Sequence, residues 1–559
     1  MEKGDFFEKN LLALSRNNRD SYIKLSAAGA SSNYYKFMEA RSGEKIPFWT
    51  DSRGVTHQLH STIDPVKEAK RLIESVEKES FLVLLGFGGG FHTGAALERE
   101  DLGAVLVIEY NADNLAELLC GRDYSGVFED PRFHLLVDPS EQELVSGILN
   151  LYQPVLYSGI RVIPLRSRTT LDAELFSMAG KTIEDAIARV SADYSVQAHF
   201  GQRWFSNTVR NLLSAGVQQA TMPRVRRAAV SAAGPSLEYQ TERLKKTRDE
   251  VFLIAVDTSL PCLLAAGIAP DAVISIDCQH ISYYHFMNRL PEGIPLFLDL
   301  ASPPLLKSRA GCCLFFTGGH PLTRYISNAW KALPELDTSG GNVTYAALSL
   351  AEQSGAVEIE LYGADFSYPL GVTYAKGAYI YPYFENRQNR LMPLEAQASA
   401  FLYRTPLEKK NVTGNGKDSP WYYETGALRF YRERLEEKSS KMKASLIVIE
   451  GRGAPICIAA NNNNTAGLRG FSSGSASLSP GDFLKSYREQ IALLPVPEKN
   501  AAAYLASLTD EGRTICTTLL PTAAAIKRRH SPGTFRETLE QTKAYCLKQL
   551  DLVINTLDT

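Results

Sequence analysis

Four aspartates stand at the ends of apolar runs, where each side chain could reach a bound ligand. The runs end in AVDTSL, SIDCQ, FLDL and YGADF, and the acids are Asp257, Asp277, Asp299 and Asp365. If the runs are parallel strands, their carboxyl ends meet at one edge of a sheet, where such folds bind ligands. A single aspartate at such a place is usually a cap for the next helix, whereas four in one sheet favour a ligand site.

Two glycine-containing turns at helix starts could hold a phosphate. The first comprises Gly234, Pro235 and Ser236, and the second comprises Thr338, Ser339, Gly340, Gly341 and Asn342. Free backbone N–H groups and the positive end of a helix favour an anion at such turns. The alternative is capping of the helix by Ser236 or Asn342 with no ligand. The second helix leads to the strand that carries Gly363 and Asp365.

A third glycine turn lies near the N-terminus. Gly86, Gly88, Gly89 and Gly90 follow the apolar run FLVLL, and the next run ends in Glu109. Such an acid, about 20 residues after the glycines, holds a ribose hydroxyl in dinucleotide sites, and S-adenosylmethionine sites are similar. The pattern is not a clean G-x-G-x-x-G, and a tight turn from strand to helix needs glycine without any ligand.

The apolar pattern predicts the elements that would position these residues. FLVLL, AVLVIE, RFHLLV and IRVIP predict one parallel sheet, and RAAVS, VFLIAV, AVISI, IPLFLD, CCLFF and VEIELY predict a larger one. FMEARSGEKIPFWTDSRG predicts short antiparallel strands around Ser42-Gly43. The fold class is α/β, with two Rossmann-like parallel-sheet domains and a small helical C-terminal unit.

Five segments are predicted along the chain. They are an N-terminal domain with the glycine loop at 1–165, a helical bridge at 166–220, a central catalytic domain at 221–460, a low-complexity linker at 461–480 and a helical C-terminal domain at 481–559.

Composition narrows the classes of function. The 559 residues include 60 Lys and Arg against 62 Asp and Glu, so no global basic field indicates a nucleic-acid partner. The eight cysteines lack metal-type spacing, which suits a reducing compartment. No run is apolar enough for a membrane span, and the charged N-terminus does not fit a signal peptide. We therefore expect a cytoplasmic protein.

The ordered blocks AAGPSL, AVDTSLPCLLAAGIAPDAVISIDCQ and TSGGNVTYAALSLAEQSGAVEIELYGADFSYPLGVTYAKG resemble the central domain of the motility accessory factor (Maf) glycosyltransferases. That domain is similar to the archaeal 6-hydroxymethylpterin diphosphokinase. The last block also looks like the Campylobacter-type sialyltransferases. The resemblance runs from about residue 227 to 382 and extends more loosely over residues 1–460.

The resemblance implies transfer of a nonulosonic acid (pseudaminic, legionaminic or sialic acid type) from a CMP donor to Ser or Thr of flagellin, in support of flagellar assembly or motility. The similar sialyltransferases contact the donor phosphate through two tyrosines, whose counterparts by motif position are Tyr368 and Tyr374. The predicted catalytic residues are Tyr374, Tyr368, Asp365 and Asp277. The predicted donor-binding residues are Gly234, Pro235, Ser236, Asp257, Ser339, Gly340, Gly341, Asn342 and Gly363. Gly86, Gly88 and Glu109 form a possible second nucleotide-like site.

The proton acceptor departs from the pattern of the similar sialyltransferases, in which a histidine follows the tyrosine pair. This chain has no histidine between His320 and His530. The reachable candidates are Asp277, His280, His285, His320 and Glu385. The use of a divalent metal is left open.

Three other functions compete with glycosyl transfer. Pyrophosphoryl transfer from ATP to a pterin-like alcohol would need Mg²⁺, for which Asp277, Asp299 and Asp365 could serve. The N-terminal glycine loop could serve an S-adenosylmethionine enzyme. A non-catalytic flagellin-binding protein could dock through the helical C-terminus.

Overall fold

The computed structural model describes residues 5–29, 35–51, 54–218, 224–412, 420–458, 474–498, 500–531 and 533–557. The chain divides into two compact units. One contains Met1–Gln202 and Gln490–Tyr545, and the other contains Arg203–Glu489 and Cys546–Thr559. Most of the predicted linker, residues 461–473, lies outside the described residues.

The first unit begins with two helices and a small antiparallel sheet. Its elements are α1 (Asp5–Asn17), α2 (Arg19–Ala27), β1 (Tyr35–Glu39), β2 (Lys45–Thr50) and β3 (Thr56–Gln58). Strands β1 and β2 pair around a turn at Gly43, whose positive φ of 90° suits glycine. This confirms the antiparallel strands predicted around Ser42-Gly43.

A four-stranded parallel sheet follows in the order β6-β5-β4-β7. Its elements are α3 (Pro65–Ile73), β4 (Phe81–Leu85), α4 (Phe91–Leu97), β5 (Ala104–Glu109), α5 (Ala112–Gly121), α6 (Ser125–Phe128), β6 (Phe133–Val137), α7 (Glu141–Leu151) and β7 (Ile160–Pro164). Strands β4 and β5 are buried along their whole length, which explains their unbroken apolar sequence. The 45-residue helix α8 (Ala173–Val217) comes next.

The second unit is built on a seven-stranded parallel sheet. Its first elements are β8 (Arg227–Ser231), α9 (Leu237–Thr247), β9 (Phe252–Val256), α10 (Leu260–Ala265), β10 (Ala272–Ser275), β11 (Pro295–Asp299), β12 (Cys312–Phe316), α11 (Pro321–Ala329), α12 (Val343–Gln353) and β13 (Glu358–Tyr362). An insertion then adds β14 (Tyr368–Pro369), α13 (Ile380–Glu385), α14 (Leu394–Leu402), β15 (Glu408–Asn411) and β16 (Trp421–Glu424), before α15 (Gly426–Lys441) and β17 (Ser445–Val448).

The strand order β12-β11-β10-β9-β8-β13-β17 contains one reversal. The chain moves outward from β8 to β12 and then returns to place β13 on the other side of β8. Because open α/β sheets bind ligands beyond the carboxyl ends of their strands at such a switch point, the gap after β8 and β13 is the expected position of a site. Strands β14, β16 and β15 form a separate antiparallel sheet.

The C-terminal region is helical, as predicted. Its helices are α16 (Pro480–Leu493), α17 (Ala501–Ser507), α18 (Asp510–His530) and α19 (Phe535–Ile554). Asn500 and Thr509 cap α17 and α18 through their side chains. The predicted fold class, with two parallel-sheet domains and a helical C-terminal unit, is thus confirmed. No helix in the described ranges is both long enough and apolar enough to cross a membrane.

Candidate active site

The switch point of the seven-stranded sheet is closed by a hydrogen-bonded clamp. Asp365 accepts the Ser236 backbone N–H at 2.8 Å through Oδ2 and the Ser236 hydroxyl at 2.5 Å through Oδ1. The same hydroxyl accepts the Arg452 N–H at 2.8 Å. A Cβ at Gly234 would lie 2.3 Å from Asp365 Oδ2, and one at Gly363 would lie 2.3 Å from a backbone oxygen. Only glycine therefore allows these two loops to approach each other.

The hydrogen bonds of this clamp occupy the polar groups of Ser236 and Asp365. Ser236 is 1% exposed and Asp365 is 3% exposed, and the Ser236 hydroxyl is engaged both as donor and as acceptor. Burial raises the pKa of Asp365, against the lowering effect of the hydrogen bonds from Ser236. In this arrangement the pair fixes the start of α9, and their predicted contact with a donor stays a prediction.

Asp257 and Asp277 follow the neighbouring strands β9 and β10. Asp257 is buried and accepts the Ser275 hydroxyl at 2.6 Å and the Thr258 N–H at 2.7 Å. Asp277 is half-buried and accepts the Gln279 N–H at 2.9 Å. Burial raises the pKa of Asp277, the Gln279 hydrogen bond opposes this, and the charge of Asp257 raises it further. Asp257 is therefore held by its hydrogen bonds, whereas Asp277 is only half-buried and has a raised pKa.

An aromatic row from the insertion lies near these acids. Tyr374 contacts Tyr379 edge to face at 6.1 Å between ring centroids, and it contacts Phe401 at 6.4 Å. The Arg404 guanidinium lies 3.9 Å from the centroid of the Phe401 ring. Within the described part of the chain Arg404 forms no ion pair. Burial raises the pKa of Tyr368, Tyr374 and Tyr379, and the positive charge of Arg404 opposes this increase. One unpaired cation is thus close to three phenol groups.

The aromatic row and the strand-end acids belong to one electrostatic cluster. Asp257 raises the pKa of both Tyr374 and Tyr379, and Asp277 raises that of Tyr379, in each case after the larger effect of burial. The structure therefore brings together four predicted site residues: Tyr368, Tyr374, Asp257 and Asp277.

The turn before α12 is held mostly by its own hydrogen bonds. Asn342 Oδ1 caps the helix by accepting the Tyr345 N–H at 3.0 Å, and its Nδ2 donates to the Gly340 carbonyl at 3.2 Å. The Ser339 hydroxyl donates to Asp337 Oδ1 at 2.7 Å. Capping explains this turn without a ligand, although Ser339 remains exposed. A role of Ser339, Gly340, Gly341 and Asn342 in binding a nucleotide stays a prediction.

Tyr431 connects that turn with the strand-end acids. A Cβ at Gly341 would lie 3.2 Å from the Tyr431 ring, and Asp277 raises the pKa of Tyr431 in addition to the larger effect of burial. Sequence reasoning missed Tyr431, Tyr379 and Arg404, because each follows the motif blocks at a distance set only by the folding of the insertion and α15. Runs rich in tyrosine, such as GAYIYPYF, were the one signal available.

The candidate proton acceptors differ in their exposure and in the residues that they contact. His280 and Glu385 are exposed. His320 begins α11 against the Trp204 ring, with centroids 4.1 Å apart, and burial lowers its pKa to about 4. His285 is 8% exposed and meets the Tyr379 ring edge to face at 4.5 Å. Of these four, only His285 contacts the aromatic row described above.

The carboxylates considered as Mg²⁺ ligands do not lie close to one another. In the described ranges, no three side chains of His, Cys, Asp or Glu are close enough together to hold a metal ion. Asp277, Asp299 and Asp365 therefore do not form a three-carboxylate centre. Asp299 is fully buried, accepts the Ala301 N–H at 2.7 Å, and has its pKa raised by burial to about 7.

A cavity of about 950 Å³ lies at the opposite, amino-terminal edge of the sheet. Two of its arginines are paired within the chain: Arg227 bonds to Glu250 at 2.8 Å and Glu358 at 2.9 Å, and Arg248 bonds to Asp271 at 2.9 Å. Because parallel sheets bind ligands at the carboxyl edge, the volume of this cavity is not sufficient reason to assign the active site to it.

The N-terminal glycine loop is filled by the chain itself. Glu109 is 3% exposed, accepts the Phe87 N–H at 2.8 Å and pairs with Arg168 at 2.5 Å. His60 Nε2 accepts the Gly89 N–H at 2.7 Å. The acid and two loop N–H groups that a nucleotide would use are engaged. Gly86 and Gly88 have positive φ values of 94° and 54°, which a turn requires. The geometry favours the structural alternative, and a second nucleotide-like site stays a prediction.

Comparison with known proteins agrees with this architecture. Residues 202–371 match the family model described as 6-hydroxymethylpterin diphosphokinase MptE-like. A solved Maf glycosyltransferase from Magnetospirillum magneticum AMB-1 superposes with a TM-score of 0.59, over 99% of this chain and 95% of that one. The chain is Maf-like, with an MptE-like central domain. This confirms the resemblance predicted from the ordered blocks. The sequence identity to the solved Maf protein is 14%, so the likeness establishes the fold.

Two relatives from Treponema pallidum (strain Nichols), both described as uncharacterized proteins, match parts of this Maf-like chain. The first is 30% identical over 164 residues, which cover 29% of this chain and 78% of the relative, and the two proteins belong to one family. The second is 39% identical over 168 residues, and the match covers 29% of this chain and 59% of the relative.

Proposed function

We propose that this protein is a glycosyltransferase that moves a nonulosonic acid from a CMP donor to Ser or Thr hydroxyls of flagellin. The supporting observation is Arg404, which lies beside Tyr368, Tyr374 and Tyr379 at the carboxyl edge of the sheet and forms no ion pair with any residue that the structure describes. The Maf-like fold and the motif blocks support the choice of donor and acceptor. The proposal predicts modification of flagellin in the cytoplasm before export.

The chemistry explains why these residue types would be needed. When the bond between the sugar and the phosphate breaks, negative charge grows on the departing CMP, while the sugar passes through an oxocarbenium-like state. A guanidinium and phenol hydroxyls can donate hydrogen bonds to that phosphate. Because burial raises the pKa of Tyr374, its hydroxyl stays protonated and remains a donor at neutral pH.

Binding measurements on the full chain test this proposal. We expect calorimetry to detect CMP binding, and Arg404→Gln to raise the Kd for CMP about tenfold or more, since a charged hydrogen bond contributes about 1.5–3 kcal/mol. Tyr374→Phe should weaken binding in the same direction. Arg390→Gln, an exposed arginine of the same insertion, is the matched control and should leave the Kd unchanged. Equal affinity for CMP in wild type and Arg404→Gln would remove the assigned phosphate site.

Pyrophosphoryl transfer from ATP to a pterin-like alcohol is the second candidate, because the matched family model carries that description. It predicts that ATP with Mg²⁺ binds and CMP does not, and that AMP is released in the presence of the alcohol. The same calorimetric series with ATP and Mg²⁺ therefore separates the two reactions.

A further inference from the structure

Two buried polar atoms lie on one short helix at the carboxyl edge of the sheet and lack partners. The 3₁₀ helix His280–Phe286 follows Asp277. In the described part of the chain, Ser282 Oγ and His285 Nδ1 are buried and make no hydrogen bond. Residues three apart eclipse each other in a 3₁₀ helix, so both side chains fall on the same side. Buried polar atoms are almost always satisfied, and two together indicate a partner supplied by a ligand or water.

The surroundings of His285 are suited to proton transfer. Asp257 and Asp277 face it from the ends of β9 and β10, and Tyr379 contacts it from the insertion. Burial lowers the pKa of His285 below its usual 6.5, whereas the two carboxylates raise it. The imidazole is therefore neutral at pH 7, and the nearby negative charges stabilise the imidazolium that forms when it takes a proton.

Of the other elements packed on this 3₁₀ helix, α13 contacts it through Tyr383 and Tyr284 and carries the exposed Glu385, whereas the following two carry no acid. The turn Pro304–Arg309 contributes Arg309, whose guanidinium lies 4.3 Å from the centroid of the Tyr283 ring. Helix α10 contributes one titratable side chain, Cys262, whose thiol donates to the Ala375 carbonyl at 3.5 Å and whose pKa burial raises to about 12. Asp257 and Asp277 are thus the carboxylates that act on His285.

We propose that His285 is the general base that accepts the proton of the acceptor hydroxyl, an inference that rests on the proposed glycosyl transfer. In the step, the acceptor oxygen forms a bond to the anomeric carbon of the sugar while the bond from that carbon to the CMP phosphate oxygen breaks. The electron pair of the broken bond leaves with CMP. The proton passes from the acceptor hydroxyl to an imidazole nitrogen of His285.

The row of ring contacts places this base opposite the phosphate-binding groups. His285 contacts Tyr379, Tyr379 contacts Tyr374, and Tyr374 contacts Phe401, over which Arg404 lies. One end of the row offers a proton acceptor and the other a cation. Glycosyl transfer needs both functions on different sides of the anomeric carbon.

The test uses the full-length His285→Gln variant. CMP release is measured from CMP-N-acetylneuraminic, CMP-pseudaminic and CMP-legionaminic acids, with flagellin of the same organism as acceptor. We expect kcat to fall about 100-fold or more with an unchanged Kd for CMP, as for loss of a general base. The wild-type rate should fall below pH 6.5 as His285 becomes protonated, and the variant should lose this acidic limb. His530→Gln, at an exposed histidine, is the matched control with the wild-type rate and profile.

The outcomes separate the inference from the function on which it rests. Wild-type protein that neither binds CMP nor turns over any of the three donors would overturn the proposed function. Wild-type turnover with an undiminished rate and acidic limb in His285→Gln would overturn the role of His285 alone. A variant that fails to fold would direct the test to ¹⁵N-histidine NMR of the wild type. There, an imidazole resonance that titrates below pH 6.5 and shifts on addition of CMP is expected, and its absence would refute the inference.

Discussion

The N-terminal glycine loop and the carboxyl edge of the larger sheet carry the same sequence signal and differ in what fills them. Each has glycines after a buried strand and an acid at a strand end. In the first, Glu109 pairs with Arg168, and His60 occupies the loop. At the second, Arg404 forms no ion pair among the described residues and lies over the Phe401 ring.

The difference lies in side chains that come from elsewhere in the chain. His60 comes from a segment before α3, and Arg168 follows β7, so neither belongs to the glycine motif. At the larger sheet, the insertion after β13 supplies aromatic rings and Arg404, and no carboxylate of the described residues pairs with that arginine. A glycine turn after a strand therefore predicts a tight turn of the backbone. Whether that turn packs against the chain or binds a ligand depends on the side chains that lie beside it.

The strongest test of the closed loop is Glu109→Gln. The change leaves Arg168 buried with Asp172 as its remaining carboxylate partner, so we expect a loss of about 3–5 kcal/mol in the free energy of unfolding. Urea unfolding of the full chain measures it. Glu129→Gln removes an exposed pair with Arg16 in the same unit and should cost no more than about 0.5 kcal/mol.

Ligand titrations of the same variant sharpen the comparison. We expect neither S-adenosylmethionine nor NAD to change the unfolding midpoint of the wild type, since the groups they would need are engaged in the loop. Stabilisation of the wild type by either cofactor, lost in Glu109→Gln, would show that the loop opens to bind it.

Lowering the pH is expected to have a smaller effect on the free energy of unfolding. Burial and the neighbouring His92 lower the pKa of His60 to about 3, and its Nε2 accepts the Gly89 N–H, which requires the neutral ring. Between pH 6.5 and about 3 the unfolded chain binds a proton here that the folded chain does not. Stability from this group therefore falls as the pH falls, by about 1.4 kcal/mol per pH unit.

His60→Gln isolates that contribution, because glutamine keeps an acceptor for the Gly89 N–H. The difference in unfolding free energy between wild type and variant, measured from pH 6.5 to 4.5, should shrink by about 2–3 kcal/mol. Parallel pH profiles would mean that His60 is protonated in the folded state and that the loop is less closed than its hydrogen bonds indicate.

The sequence predicted the fold well because buried parallel strands leave a simple signal. Strands such as β4 and β9 are buried nearly throughout and so read as unbroken apolar runs. The strand-end acids were also found, since parallel strands share one carboxyl edge. The sequence did not indicate which of these acids accept hydrogen bonds from the chain itself. The reason is that the partners of Asp365 and Asp257 are serines on other strands or loops.

The rest of the candidate site had only a weak local signal, since His285 was one of five candidate proton acceptors and Tyr379 lies in a run rich in tyrosine. Tyr379, Arg404 and His285 come together only through the packing of the insertion and a 3₁₀ helix, and no motif spacing fixes such a contact. Conversely, the glycine turn before α12 was attractive as a phosphate site because helix capping and phosphate binding use the same small polar residues.

Asn342→Ala separates those two uses and has the smallest expected effect. Loss of the cap on the Tyr345 N–H should cost about 1 kcal/mol in the free energy of unfolding, as should Asn500→Ala, which removes an equivalent cap from the Ala503 N–H. If Asn342 serves only as a cap, both variants bind CMP with the wild-type Kd. A rise of tenfold or more in the Kd of Asn342→Ala alone would extend the candidate site to the start of α12. It would also show that a helix start whose cap is already formed can still bind a nucleotide, in contrast to the glycine loop closed by His60 and Glu109.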